Sequence, residues 1–175
     1  LSAGYQITAD ETEADVVVIN TCGFIESAKK ESIDSILDIA WLKENRSLSG
    51  IVVTGCLAER YREDLLAELP EIDAIIGIGG LDKITDACDS ILFGKDEKYV
   101  ALPAKDACGL GGDRIITTGE TFAYLKVSEG CDNRCTYCAI PGIRGGLRSR
   151  RMETLVEEAK ALVADGVKEL VLVAQ

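Results

Sequence analysis

The 175-residue chain contains no histidine. That absence removes every His general base, every Cys/His nucleophile pair and every mixed Cys-His zinc site. No apolar run approaches the ~18 residues needed to span a membrane, and no secretory leader opens the chain. The seven cysteines are odd in number, so a disulfide framework is not expected, and a reducing cytosol is the compartment they suit. No internal repeat is present. Basic residues are outnumbered 30 to 19, for a net charge of -11, so non-specific attraction to nucleic acid or anionic lipid is not expected and a basic partner is favoured. With 47% hydrophobic and 28% charged residues, the chain has the balance of an ordinary globular protein able to bury a core. Its chemistry must run on sulfur.

Residues 16–19, Val-Val-Val-Ile, form a β-branched run expected of a strand buried on both faces of a parallel sheet. Residues 51–53 repeat that character, and residues 74–76 do so more weakly. Between the first two runs, Ile33, Ile36, Leu37 and Ala40 mark one apolar helix face. Further helices are predicted over 61–69, stopped by Pro70, and over 81–92, stopped by Gly94. This alternation predicts a doubly wound α/β domain over residues 1–102, with right-handed crossovers. Residues 103–120 lose all periodicity and collect Gly109, Gly111, Gly112 and Gly119, which reads as a linker. The glycines lack the Lys-Ser/Thr ending of a phosphate loop, so flexibility explains them better. Residues 121–175 then read as a strand over 121–128, a Cys- and Gly/Arg-rich loop, a helix marked by Leu155, Ala159, Leu162 and Val163, and a terminal strand over 169–174. Such a βαβ unit with a long opening loop is how a β/α barrel begins. The first residue is Leu1 and the last strand stops without a turn, so the chain is expected to be a fragment of two domains.

Cys131, Cys135 and Cys138 form a C-x3-C-x2-C cluster directly after the strand. Three thiolates so close together are tolerable when a metal takes them up. Structural zinc is the plainer reading, but it wants four ligands and no fourth lies nearby. A 4Fe-4S cluster held by three thiolates fits better and leaves one iron open for a substrate or cofactor. Cys22 and Cys56 each follow a strand of the first domain, at the carboxyl edge where open α/β sheets build sites, and each has a neighbouring glycine that would let a ligand approach. Two thiolates are too few for such a cluster, so a third ligand is expected from a segment before Leu1. Cys88 and Cys108 match neither group and read as structural or incidental.

The 131–138 spacing, with Tyr137 before the last cysteine, resembles the radical S-adenosylmethionine (SAM) superfamily. The segments Asn20-Thr21-Cys22-Gly23 and Gly55-Cys56-Leu57-Ala58-Glu59-Arg60-Tyr61, followed by residues 124–150, resemble its methylthiotransferase family over nearly the whole chain. The resemblance implies a truncated radical SAM barrel after the first domain, and two 4Fe-4S clusters. Cys131, Cys135 and Cys138 would hold one, whose open iron binds SAM and cleaves it to a hydrogen-abstracting radical. Cys22, Cys56 and the missing cysteine would hold the other and deliver sulfur. Tyr137 would lie against the adenine, or simply pack under its loop. The implied reaction is methylthiolation of an aspartate β-carbon in ribosomal protein uS12, with flavodoxin or ferredoxin as electron donor, in the cytoplasm and away from membranes.

The rival substrate is an adenosine of tRNA, and the rival class is a non-catalytic iron-sulfur module for electron transfer or redox sensing. The family's TRAM domain and later barrel strands are not in these residues. The fragment alone is expected to bind at most one cluster well and to be inactive. Arg144, Arg148, Arg150 and Arg151 form a basic patch that could grip the SAM carboxylate, a phosphate or an acidic substrate residue, or could simply be solvated. Arg151 stands where a Pro is expected to open the helix.

Overall fold

The computed structural model describes residues 3–94, 97–112, 114–116 and 121–174. The chain divides into two compact units, residues 1–108 and 109–175. In the first, the elements run β1 (Val16–Thr21), α1 (Glu26–Asn45), β2 (Gly50–Gly55), α2 (Cys56–Glu68), β3 (Ala74–Ile76), α3 (Ile84–Phe93) and β4 (Tyr99–Ala101). The four strands form one parallel sheet in chain order. Ile51, Val53 and Ile75 bury toward α1 and α2, against Ile36, Ala40, Leu57 and Ala58. Val52, Ala74 and Ile76 bury on the other face, against Ala87 and Cys88 of α3. Each fully buried Ile or Val among them contributes roughly 1.5–3 kcal/mol.

Several expectations shift. The β-branched run of β2 is buried throughout, but β1 is an edge strand with Val18 41% exposed, because only β2 pairs with it among the described residues. The crossovers do not share one hand: the strands advance in one direction, yet α3 crosses on the face opposite α1 and α2. On α1 the buried stripe is Ser32, Ile36 and Ala40, and Leu37 is 44% exposed. Helix α2 begins at Cys56, five residues before the predicted start, because Gly55, at φ +96°, turns the strand straight into the helix. The predicted 81–92 helix is α3, preceded by a 3-10 segment (Ile78–Lys83) and closed where the Gly94 N–H donates to the Ser90 carbonyl. Strand β4 has only three residues and was not predicted.

The second unit contains β5 (Phe122–Glu129), α4 (Ile140–Arg144), β6 (Arg148–Ser149), α5 (Met152–Ala164) and β7 (Glu169–Ala174). Strands β5 and β7 pair in parallel, joined through α5, while β6 pairs antiparallel on the other side of β5. Ala123, Leu162 and Val167 make its buried cluster, with Ile116 and Leu170 against them. Val163, predicted to face inward, is 59% exposed. The linker residues described, 103–112 and 114–116, hold no helix or strand, and Gly119 lies outside the described residues. Gly111 is not free: a Cβ there would lie 2.6 Å from Arg150 Nη2. Among the described residues no helix is long and apolar enough to cross a membrane.

Candidate metal centre

Strand β5 delivers the chain to the cysteine loop, and the loop closes on itself at a neck. The Cys131 N–H donates to the Gly145 carbonyl at 3.1 Å, and the Leu147 N–H donates to Asp132 Oδ1 at 2.8 Å. Gly130, at φ +76°, presses so closely on the returning strand that a Cβ would lie 2.2 Å from the Gly146 carbonyl. Above this neck Cys131, Cys135 and Cys138 line a single cavity of about 610 Å³ with Asp132, Arg134, Pro141, Gly142 and Gly146. Among the described residues no three Cys, His, Asp or Glu side chains are drawn together tightly enough for one metal ion. A cubane cluster takes each thiolate on a different iron, so three cysteines around one roomy cavity fit it. Tyr137 is 91% exposed.

Glu129, the last residue of β5, is 3% exposed and was not singled out by sequence. Lys126 Nζ donates to its Oε2 and Arg144 Nη1 to its Oε1. Burial pushes this carboxyl upward, but the hydrogen bonds from Lys126 and then Arg144, with their charges, outweigh it and hold the group below the usual carboxylate range. The other arginines divide by environment. Arg150, 6% exposed at its side chain, pairs with Glu158 and donates to the Lys126 carbonyl at 3.0 Å, so it belongs to the unit's interior. Arg151 occupies the N-cap position of α5 with its side chain 84% exposed. The patch is therefore not one solvated run.

In the first unit, β1 and β2 pair up to Thr21 opposite Gly55, and Cys22 and Cys56 follow immediately. A Cβ on Gly55 would lie 2.4 Å from the Thr21 carbonyl, and one on Gly23 2.9 Å from the Leu57 nitrogen. These glycines thus let the two loops touch. The Thr21 hydroxyl donates to the Thr54 carbonyl at 2.6 Å, and Arg60 Nη1 donates to the Gly23 carbonyl at 2.9 Å, tightening the same contact. Cys56 is 2% exposed and Cys22 is half-buried. Ser32 brackets Cys22: the Cys22 N–H donates to Ser32 Oγ at 3.0 Å, and Ser32 Oγ donates to the Cys22 carbonyl at 3.3 Å.

A polar residue on an apolar helix stripe was the available signal for Ser32, as an acidic residue at a strand end before a cysteine was for Glu129. Ser32→Ala is expected to cost about 1 kcal/mol and to speed alkylation of Cys22, measured by denaturant titration and mass spectrometry of labelled thiols. Cys88 is buried in α3, with burial as the main cause raising its thiol above the usual range, and Cys108 is half-buried.

Residues 1–77 match the model of Uncharacterized protein family UPF0004, and residues 125–175 match that of the Radical SAM superfamily. Nearly the whole chain is similar to curated proteins named ribosomal protein uS12 methylthiotransferase RimO. Identity is 51% to that of Lachnoclostridium phytofermentans, 48% to that of Acetivibrio thermocellus and 50% to that of a Thermoanaerobacter species, each alignment covering 98% of this chain and 39% of the relative. The chain therefore spans about two fifths of the length of these relatives. With two domain matches in this order, and about half its residues shared with such proteins along its length, the chain belongs to the radical SAM methylthiotransferase family.

Proposed function

We propose that the chain is part of an enzyme that methylthiolates the β-carbon of an aspartate in ribosomal protein uS12. The observation carrying this reading is the single cavity lined by Cys131, Cys135 and Cys138 at the carboxyl end of β5, together with the names of the relatives. Residues 1–102 act as the N-terminal methylthiotransferase domain, residues 103–120 as the connecting segment, whose Gly111, Arg114 and Ile116 pack on the second unit, and residues 121–175 as the first part of a radical SAM barrel. Cys131, Cys135 and Cys138 would hold one 4Fe-4S cluster, and Cys22 and Cys56 would contribute to a second. When bound, the cluster and SAM supply the one-electron chemistry that breaks an unactivated C–H bond.

The chain's own residues prepare for that. The neck from Cys131 to Gly145 fixes where the three thiols stand, and the Tyr137 ring is exposed enough to meet an adenine. Ser32 and the touching loops hold Cys22 beside Cys56. An acidic chain suits a basic ribosomal protein, a flavodoxin or ferredoxin supplies electrons, and the cytoplasm is the compartment. The test is mass spectrometry of uS12 and of bulk tRNA from a strain lacking the full-length protein. Loss of the methylthio group from uS12 is expected; loss only from tRNA refutes this substrate. Failure of the reduced, reconstituted protein to form 5'-deoxyadenosine would instead favour a non-catalytic iron-sulfur module.

A further inference from the structure

Glu129 is the anionic centre of an ion cluster at the base of the cysteine loop. Its carboxylate lies almost wholly out of water, a placement that costs several kcal/mol unless cations answer it. Both oxygens are answered, one by Lys126 three residues earlier on β5 and one by Arg144 at the end of α4. Residue 129 enters the loop and residue 144 leaves it, so this ion pair ties together the two ends of the segment that carries all three cysteines. The backbone does the same beside it: Glu129 pairs with Arg148 in the β5–β6 ladder, and the Cys131 N–H reaches the Gly145 carbonyl. Two of these ties use backbone groups. The Glu129–Arg144 pair depends on side chains, as do the Asp132–Leu147 hydrogen bond and the close approach at Gly130, and is the charged one of the places where the sequence specifies the loop's closure.

We propose that Glu129 is a positioning residue for the cluster, holding the Cys131, Cys135 and Cys138 thiols around one cavity by drawing Arg144 against the end of β5. This rests on the functional reading above. Removing its charge weakens the hold on Arg144 across the neck, and the neck loosens at Cys131 first, because that cysteine is two residues away. Outer partners of this kind affect metal retention by about 10–100-fold.

The test uses the full-length protein, reconstituted anaerobically with iron and sulfide. Glu129→Gln is expected to lose iron to a chelator about tenfold faster than wild type and to change the electron paramagnetic resonance signal of the reduced cluster. Arg144→Lys, which keeps a cation, is expected to fall between the two. Leu162→Ala, a core change in the same unit remote from the loop, is the comparison for general loosening. Equal iron loss in Glu129→Gln and wild type overturns the proposal. So does equal loss in Glu129→Gln and Leu162→Ala at matched unfolding midpoints, since the role would then be merely structural. Should Glu129→Gln not fold, Arg144→Gln replaces it with the same expectations. If wild type takes up no iron at this loop, the functional reading fails, and alkylation of the metal-free protein decides the positioning role. Faster labelling of Cys131 relative to Cys135 in Glu129→Gln then supports it, and an unchanged ratio refutes it.

Discussion

Replacing Cys131, Cys135 or Cys138 singly by Ala in the full-length protein is expected to abolish formation of 5'-deoxyadenosine and to remove one cluster's share of iron. The three side chains line the same cavity. Loss of any one leaves two protein ligands for a cluster that already has an open iron, so the effect is close to all-or-none rather than graded. Cys135 is exposed and the other two are half-buried, so none is a core residue whose truncation would unfold the unit. Cys88→Ala makes the contrast: it removes a buried thiol from α3, costs up to about 2 kcal/mol, and leaves iron content unchanged. Iron analysis, product chromatography and thermal unfolding on the same samples check these outcomes. Full activity in any of the three variants would remove the assignment of that cysteine.

Gly55→Ala is expected to destabilise the first unit by at least about 2 kcal/mol and to separate its two cysteines. The residue sits at φ +96°, where an L side chain is strained by roughly 1–2 kcal/mol, and its Cβ would meet the Thr21 carbonyl at 2.4 Å and Asn20 Oδ1 at 2.5 Å. Backbone atoms of a paired strand cannot move aside without breaking the β1–β2 register. Relief must come from displacing either Thr21, which leads to Cys22, or the start of α2, which is Cys56. Denaturant titration gives the energy. A chemical cross-linker short enough to bridge adjacent thiols reads the separation: its yield between Cys22 and Cys56 should fall well below wild type. An unchanged midpoint would show that the close approach at Gly55 is not the constraint it looks to be.

The gathering of Cys131, Cys135 and Cys138 around one cavity was legible because residues 131–138 carry their spacing within one loop. The placement of Cys22 and Cys56 just past the paired ends of β1 and β2 was legible because both follow β-branched runs. Burial was harder: the runs at 16–19 and 51–53 look alike, and only the sheet order makes the first an edge and the second a centre. The side of the sheet chosen by α3 has no local signal, since a helix stripe does not say which face receives it. Leu37 and Val163 were misplaced for a related reason, each standing one residue past a stripe whose true members are Ser32, Ile36 and Ala40, or Leu162. Arg150 and Glu129 were hidden because charged residues are mostly solvated, and burial of a charge is decided by partners far along the chain.

The contact between Gly111 and Arg150 changes what kind of segment the supposed linker is. Arg150 covers Gly111, Arg114 pairs with Glu158 of α5 at 3.1 Å, and Ile116 packs against the Ala123–Leu162–Val167 cluster. Gly111, Arg114 and Ile116 are thus fitted to the second unit, through a glycine, a charge and an apolar side chain respectively. Ala104, Asp106, Ala107 and Gly109 are exposed. Length is therefore better tolerated near residues 106–109 than a few positions later, where an insertion between Gly111 and Ile116 would put the anchors out of step with one another.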